Sequence, residues 1–219
     1  EIEGIVTSDE RIREIVNQSS KPLNHNEAEI AGYRDALNII HLEYTKLDFT
    51  EDTILKLHEI LMSYTTYEYA GKYKLNNNYI IEEDKQGNRK IRFKPISAEE
   101  TPQAMEQLVL AYMEARNDAN INQLLLIPCV ILDFLCIHPF SDGNGRTARL
   151  WQNIILSSYE EIFEYVPIES QIKKYQNDYY KAINDSNLNG NSTKFIEFML
   201  KMIDETLDDA LYYVEDDPY

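Results

Sequence analysis

Between His138 and Arg149 the chain reads His-Pro-Phe-Ser-Asp-Gly-Asn-Gly-Arg-Thr-Ala-Arg. One short stretch therefore holds a proton acceptor, a hard oxygen ligand, two glycines and two permanent cations. An imidazole titrates near neutral pH, so His138 can take a proton from a hydroxyl. Asp142 offers the kind of oxygen Mg²⁺ accepts, with phosphate oxygens and waters completing the shell. Gly143 and Gly145 permit positive φ and close approach, so Gly143-Asn144-Gly145 is expected as a turn whose N–H groups face one side. Pro139 ends the helix before this turn and a new helix opens after it, which makes the turn an anion site at a helix N-terminus. Arg146 and Arg149, three apart, share a face of that helix, and guanidinium groups grip terminal phosphates bidentately. Such a set can hold a polyphosphate while a hydroxyl attacks it.

Taken singly, each part has a plainer reading. A His at a helix end is more often structural, Gly-Asn-Gly is usually just a turn, and paired arginines usually form a solvated face. The conjunction, in order and without a gap, is what points to chemistry. The run resembles, position for position, the Fic family signature HPFx[D/E]GN[G/K]RxxR, with Ser141 at the variable place. That resemblance implies a protein adenylyltransferase, a Mg-dependent nucleotidyltransferase that moves AMP from ATP to Tyr, Thr or Ser hydroxyls and releases pyrophosphate. On that likeness His138 is the base and Asp142 holds Mg across the α and β phosphates. Gly143, Asn144 and Gly145 cradle the phosphates, Asn144 on the α-phosphate, while Arg146 and Arg149 hold the β and γ phosphates. Doc-like relatives typically carry Lys in place of the second glycine, so Gly145 favours nucleotidyl transfer over kinase chemistry. Transfer of UMP, GMP or phosphocholine, removal of AMP, and a silent nucleotide-binding module are the other readings the resemblance leaves open. Intact His138 and Asp142 weigh against the last.

The surrounding sequence must position this run. Helical periodicity or good helix formers mark residues about 9–18, 24–44, 50–64, 98–117, 121–137, 144–158, 168–186 and 192–213. Starts are expected at Asn26 before Glu27, at Thr50 before Glu51, and at Ser97 with Glu100 as a capping box. Leu124 to Ile137 is apolar but holds Pro128 and Asp133 and is too short to span a bilayer, so it reads as a buried helix leading into His138. Asn78 to Pro95 breaks the pattern: Tyr79-Ile80-Ile81 and Lys90-Ile91-Arg92-Phe93 flank a polar turn containing Gly87, which predicts a hairpin. The Fic resemblance makes this hairpin a flap that docks the protein substrate by main-chain pairing, with Tyr79, Ile80, Ile81, Ile91, Arg92 and Phe93 as the docking residues. The fold expected is all-α, a Fic core of roughly six to eight helices with one small β-hairpin.

Two further features follow from the same resemblance. Glu3 and Gly4 match the last two positions of the inhibitory motif [S/T]xxxE[G/N], whose Ser or Thr would fall one residue before Glu1. Glu3 would then pair with Arg149 and occupy the γ-phosphate position, an autoinhibition. Residues 1–20 are read as the end of an inhibitory helix with its linker, and 21–219 as the catalytic domain with a C-terminal helix and acidic tail. Tyr179 and Tyr180 resemble the family's tyrosine pair near the nucleotide, although with 16 tyrosines in the chain any one is by default a packing residue. Asn153, four after Arg149, shares its helix face and is a candidate nucleotide contact.

Charge and composition agree with this reading. Lys and Arg number 21 against 38 Asp and Glu, a net charge of −17, which opposes binding to nucleic acid or an anionic membrane. No signal peptide is visible, and the chain begins with Glu1 instead of Met, which reads as an upstream segment removed or left out. Cys129 and Cys136 lie about two turns apart on one helix face, too far to be bridged, and are expected as buried thiols in a reducing compartment. A cytoplasmic enzyme is the expectation, and self-regulation through a homodimer is a family habit.

Overall fold

Helix α5 (Gln123–Ile137) is the apolar segment that the sequence singled out, and the rest of the molecule is arranged around it. The computed structural model describes residues 7–83, 87 and 89–215. In chain order the other elements are α1 (Asp9–Val16), α2 (His25–Glu43), α3 (Glu51–Leu61), β1 (Ile80–Glu83), β2 (Arg89–Phe93), α4 (Thr101–Ala115), α6 (Asn144–Tyr159), α7 (Ile168–Lys174), α8 (Gln176–Asn189) and α9 (Thr193–Glu215). Short 3₁₀ turns at Tyr44–Lys46 and Glu161–Glu164, which periodicity does not reveal, join some of them. The expected all-α fold with one hairpin is what forms.

Helix α5 packs on α4, α6 and α9. Ile127, Val130, Ile131, Phe134 and Ile137 are all buried in a core shared with Phe49, Met105, Trp151, Phe195 and Met202. Pro128 sits inside α5, where its missing N–H forfeits the bond to the carbonyl four residues back. None of the described helices is long and apolar enough to cross a membrane. Helices α2 and α3 cross so closely that a Cβ on Gly32 would lie 1.9 Å from the Leu61 carbonyl oxygen, so that crossing requires glycine.

Side-chain caps open α1, α2, α3 and α5. Thr50 accepts from the Thr53 N–H, and Ser97 Oγ accepts from the Glu100 N–H, half of the expected box, while the Glu100 carboxylate takes the Ser97 hydroxyl instead of its N–H, one turn ahead of α4 proper. The start of α2 needs correction: Asn24, not Asn26, is the cap, because its Oδ1 accepts from the Glu27 N–H at 2.9 Å. The single helix expected over 168–186 is two helices, broken at Tyr175, whose φ of −110° and ψ of 33° leave the helical region with no Gly or Pro to announce it. Cys129 and Cys136 are unbridged, as expected, but only half-buried, with Cys136 Sγ against Asn187 of α8 at 3.0 Å.

Helix α1 is tied to the core through Ile15, fully buried, and through Arg11, which grips Glu27 with Nη2 at 2.7 Å and Nε at 3.2 Å. That pairing, with the Leu23 N–H, holds the Glu27 carboxyl down to about 2 from 4.5. A folded-state value below the unfolded one stabilises above pH 4.5 and is lost as pH falls toward 2. Glu27→Gln should therefore lower the thermal midpoint at pH 7, and the gap to the parent should close in a titration from pH 4.5 to 2. A gap that persists at the acid end would show that the ion pair is not its source.

Candidate functional site

His138 is the residue after α5, and it leaves the helix in the left-handed region with φ 53° and ψ 60°. A non-glycine residue there is strained by about 1–2 kcal/mol. The bend swings the imidazole out of the core, where its Nδ1 lies 3.3 Å from the Leu135 carbonyl oxygen. A carbonyl can only accept, so Nδ1 carries the proton and Nε2 is the basic nitrogen of the neutral ring.

The loop then closes on itself through Asn144. Its Oδ1 accepts from the Phe140 N–H at 2.8 Å and its Nδ2 donates to the Phe140 oxygen at 2.7 Å. Both polar ends of this buried amide are therefore engaged with main chain, and what Asn144 can turn toward a phosphate is its backbone N–H. Gly143, at φ 79°, caps α6, and the first-turn N–H groups of Asn144, Gly145 and Arg146 have no acceptor within the helix. That end of α6 offers the N–H groups and dipole that suit an anion. Asp142 is exposed, and its Oδ1 accepts from the Gly143 N–H at 2.7 Å.

Both arginines are 4% exposed, and each faces a carboxylate from another helix. Arg146 Nη2 meets Glu29 of α2 at 2.7 Å and Asp142 at 3.6 Å. Arg149 Nε meets Glu169 of α7 at 3.2 Å, and Glu169 also accepts from the Tyr33 hydroxyl. Sequence spacing gave no hint of Glu29 or Glu169. The only clue to Glu29 is a carboxylate set among Ala28, Ala31 and Gly32 on a buried face. His25, Glu29 and Asp142 bring their ligand atoms within 4.8 Å of one another, a donor set in which a cation could sit.

His58 of α3, fully buried and absent from the sequence-derived set, supports the loop from below. Its Nδ1 accepts from the Gly71 N–H at 3.0 Å, so Nε2 is protonated and donates to the Asp142 carbonyl at 3.0 Å. Its ring stacks on Phe140 with centroids 3.7 Å apart and planes 2° from parallel. Burial pushes its pKa down to about 4. A Cβ on Gly143 would press on the same ring at 3.3 Å.

A cavity of about 270 Å³ brings together His138, Gly145, Arg149, Tyr179, Tyr180 and the hairpin residues Ile80, Arg92 and Phe93, whereas Arg146 lines a second cavity with Glu29 and Glu169, which Arg149 also reaches. Strands β1 and β2 are antiparallel, with Ile80 opposite Phe93 and Ile81 opposite Ile91. Ile81 and Ile91 are on the exposed face, as is Tyr79, which precedes the strand. Arg92 anchors the hairpin to α8 through the Tyr180 carbonyl at 3.0 Å and Asn184 at 3.5 Å. Tyr179 is buried against Phe195 and Phe198 and contributes one wall of the cavity. Asn153 is not brought to this cavity. It lines a separate one with His41, Phe163 and Pro167, because one further turn along α6 carries it beneath the segment that leads into α7. Glu3 and Gly4 lie outside the described residues.

Residues 48–156 match the model of the Fic/DOC family. Protein adenylyltransferase fic-1 of Caenorhabditis elegans is 26% identical over 184 residues, which cover 81% of this chain and 32% of that protein. Protein adenylyltransferase Fic of Nematostella vectensis is 26% identical over 191 residues, covering 85% of this chain and 40% of that protein. The chain thus spans well under half the length of either relative. Among solved structures, a Fic family protein from Desulfovibrio desulfuricans G20 shares the fold with a TM-score of 0.81 at 24% identity, over 99% of this chain and 63% of that one.

Proposed function

Because the chain belongs to the Fic/DOC family, we propose that it is a protein adenylyltransferase, moving AMP from ATP to Tyr, Thr or Ser hydroxyls on target proteins and on itself. The observation that carries this reading is the shared cavity, where the basic nitrogen of His138, the N-terminus of α6, Arg149 and the inner hairpin residues Ile80 and Phe93 meet. Base, anion site and peptide-docking edge are what hydroxyl attack on a bound nucleotide requires.

In this mechanism His138 Nε2 removes the target hydroxyl proton as that oxygen bonds to the α-phosphorus. The bond from the α-phosphorus to the bridging oxygen breaks, and pyrophosphate leaves. The N–H groups of Asn144 and Gly145, at the positive end of α6, hold the phosphates, and Arg146 and Arg149 meet the β and γ phosphates. Much of the rate would come from positioning and fixed charge. Two buried cations beside an exposed carboxylate fit a nucleotide carried with magnesium, and Asp142 would hold the metal, which would supply charge neutralisation for the phosphates. Tyr179 and Tyr180 would flank the nucleoside, and Tyr79, Ile81, Ile91 and Arg92 would complete the hairpin's docking of a target strand. Two unbridged thiols suit a reducing, cytoplasmic setting, and the acidic surface disfavours nucleic acid and anionic membranes.

Glu3, with Gly4, is the proposed inhibitor, taking Arg149 away from the γ-phosphate. Incubation with magnesium and α-labelled ATP, read by intact mass, should add AMP to the protein. Glu3→Gly should raise that labelling by about tenfold, the effect of some 1.4 kcal/mol in the barrier. Unchanged labelling would remove Glu3 from regulation. No labelling with ATP but labelling with another nucleotide would redirect the donor assignment. A concentration series of the same reaction separates labelling within one molecule from labelling between partners of a homodimer.

A further inference from the structure

We infer that Lys74 and Asn78 are positioning residues for His138, fixing its strained backbone from the segment that enters the hairpin. The inference rests on the proposed role of His138 as the base.

Lys74 is 2% exposed, a rare place for an ammonium group. Its Nζ donates to the Asn78 Oδ1 at 3.0 Å and to the Ile137 carbonyl at 3.0 Å, two neutral acceptors. Burying a cation against neutral acceptors is costly, and desolvation lowers its pKa to about 8. What the arrangement achieves is control of the loop. The Lys74 N–H donates to the Pro139 carbonyl at 2.8 Å. Asn78 Nδ2 donates to the Phe140 carbonyl at 3.0 Å and reaches the His138 carbonyl at 3.5 Å. Two side chains and one amide thus meet four successive carbonyls, from Ile137 to Phe140, around the one non-glycine residue of that loop with positive φ.

The same segment starts the hairpin two residues later, at Ile80, and Ile80 lines the cavity with His138. A short span of chain therefore links the strand that would dock a target to the backbone that aims the imidazole. Nothing in residue type predicted this. Lys74 falls between Tyr73 and Leu75 in a stretch without periodicity, and the carbonyls that it and Asn78 meet lie 63 and 62 residues away in sequence.

The test compares the parent with Lys74→Met, Lys74→Arg and Asn78→Ala. Readouts are AMP transfer rate, ATP affinity, thermal midpoint, and long-range ¹⁵N–¹H spectra of the His138 ring. Lys74→Met should stay folded and bind ATP as the parent does, yet transfer AMP about 50-fold more slowly, the scale expected from an ångström of misplacement. Its ring should lose the Nδ1–H signature, and Asn78→Ala should do the same to a lesser degree. Lys74→Arg should recover most of both, since a guanidinium can reach the same carbonyl. Parental rate and ring signature in Lys74→Met would overturn the proposal, and so would Lys74→Arg as impaired as Lys74→Met. If the parent transfers no AMP, the functional reading fails separately. The ring spectrum then decides alone: an unaltered tautomer in Lys74→Met overturns the positioning role, and a lost one upholds it.

Discussion

Substituting His138 should lower AMP transfer by about 10³-fold while leaving nucleotide binding intact, the loss expected when a general base is removed from a positioned hydroxyl. The choice of variant matters because the backbone here has φ 53°. Alanine keeps the strain and removes the ring, which confounds a lost base with a disturbed loop. Asparagine tolerates the left-handed region far better, so His138→Asn isolates the chemistry. The half-buried imidazole is not part of the apolar core, so the thermal midpoint should move little in either variant. Intact-mass labelling over time, beside an ATP-binding isotherm, separates the effects. Transfer at the parental rate in His138→Asn would transfer the base role to another group. Weakened binding with unchanged turnover would make His138 a substrate contact.

The second large effect concerns stability. His58 is fully buried, and its pKa falls from 6.5 to about 4 mainly through desolvation, with Arg146 adding to the drop and the Asp142 carbonyl opposing it. The unfolded chain takes up the proton near pH 6.5, whereas the folded one resists until about 4. Stability from neutral His58 is therefore complete above pH 6.5 and drains as pH falls through 4, by about 3 kcal/mol over that window. Other groups titrate in the same range, so the informative quantity is the difference from His58→Gln. That variant should be less stable at pH 7, having lost the stacking on Phe140, and its deficit should shrink by about 3 kcal/mol between pH 7 and 4. Denaturant unfolding at several pH values measures it. A constant deficit would show that His58 titrates normally. The same contact bears on function, since protonation would remove the acceptor used by the Gly71 N–H and loosen the shelf beneath Asp142 and Gly143.

The run from His138 to Arg149 was legible because the site is built on one loop and the helix that follows it. For such a site, spacing along the chain is spacing in the structure: Gly143 caps α6, and the arginines follow at helical intervals. Caps at Thr50 and Ser97 were readable for the same reason, since a cap satisfies N–H groups two or three residues away. The apolar run into Ile137 announced α5, and two β-prone runs around Gly87 announced the hairpin. Where a local rule met a competitor it failed locally, as at Asn24 over Asn26 and at the break at Tyr175.

Only the tertiary structure decided which carboxylates face the two arginines, which imidazole and ammonium groups hold the loop, and that Asn153 belongs to another cavity. Glu29, Glu169, His58, Lys74 and Asn78 reach the site from elements far along the chain from their partners, and Glu29 and Arg146 stand 117 residues apart. Their meeting depends on how α2, α3, α7 and the segment before β1 pack around α5 and α6. Packing brings residues together without imposing any period on the sequence between them. The sequence by itself therefore determined the chemistry on offer and the helices that bear it. The structure decided how each charge is balanced and how His138 is held, because those depend on long-range contacts that leave no local signal.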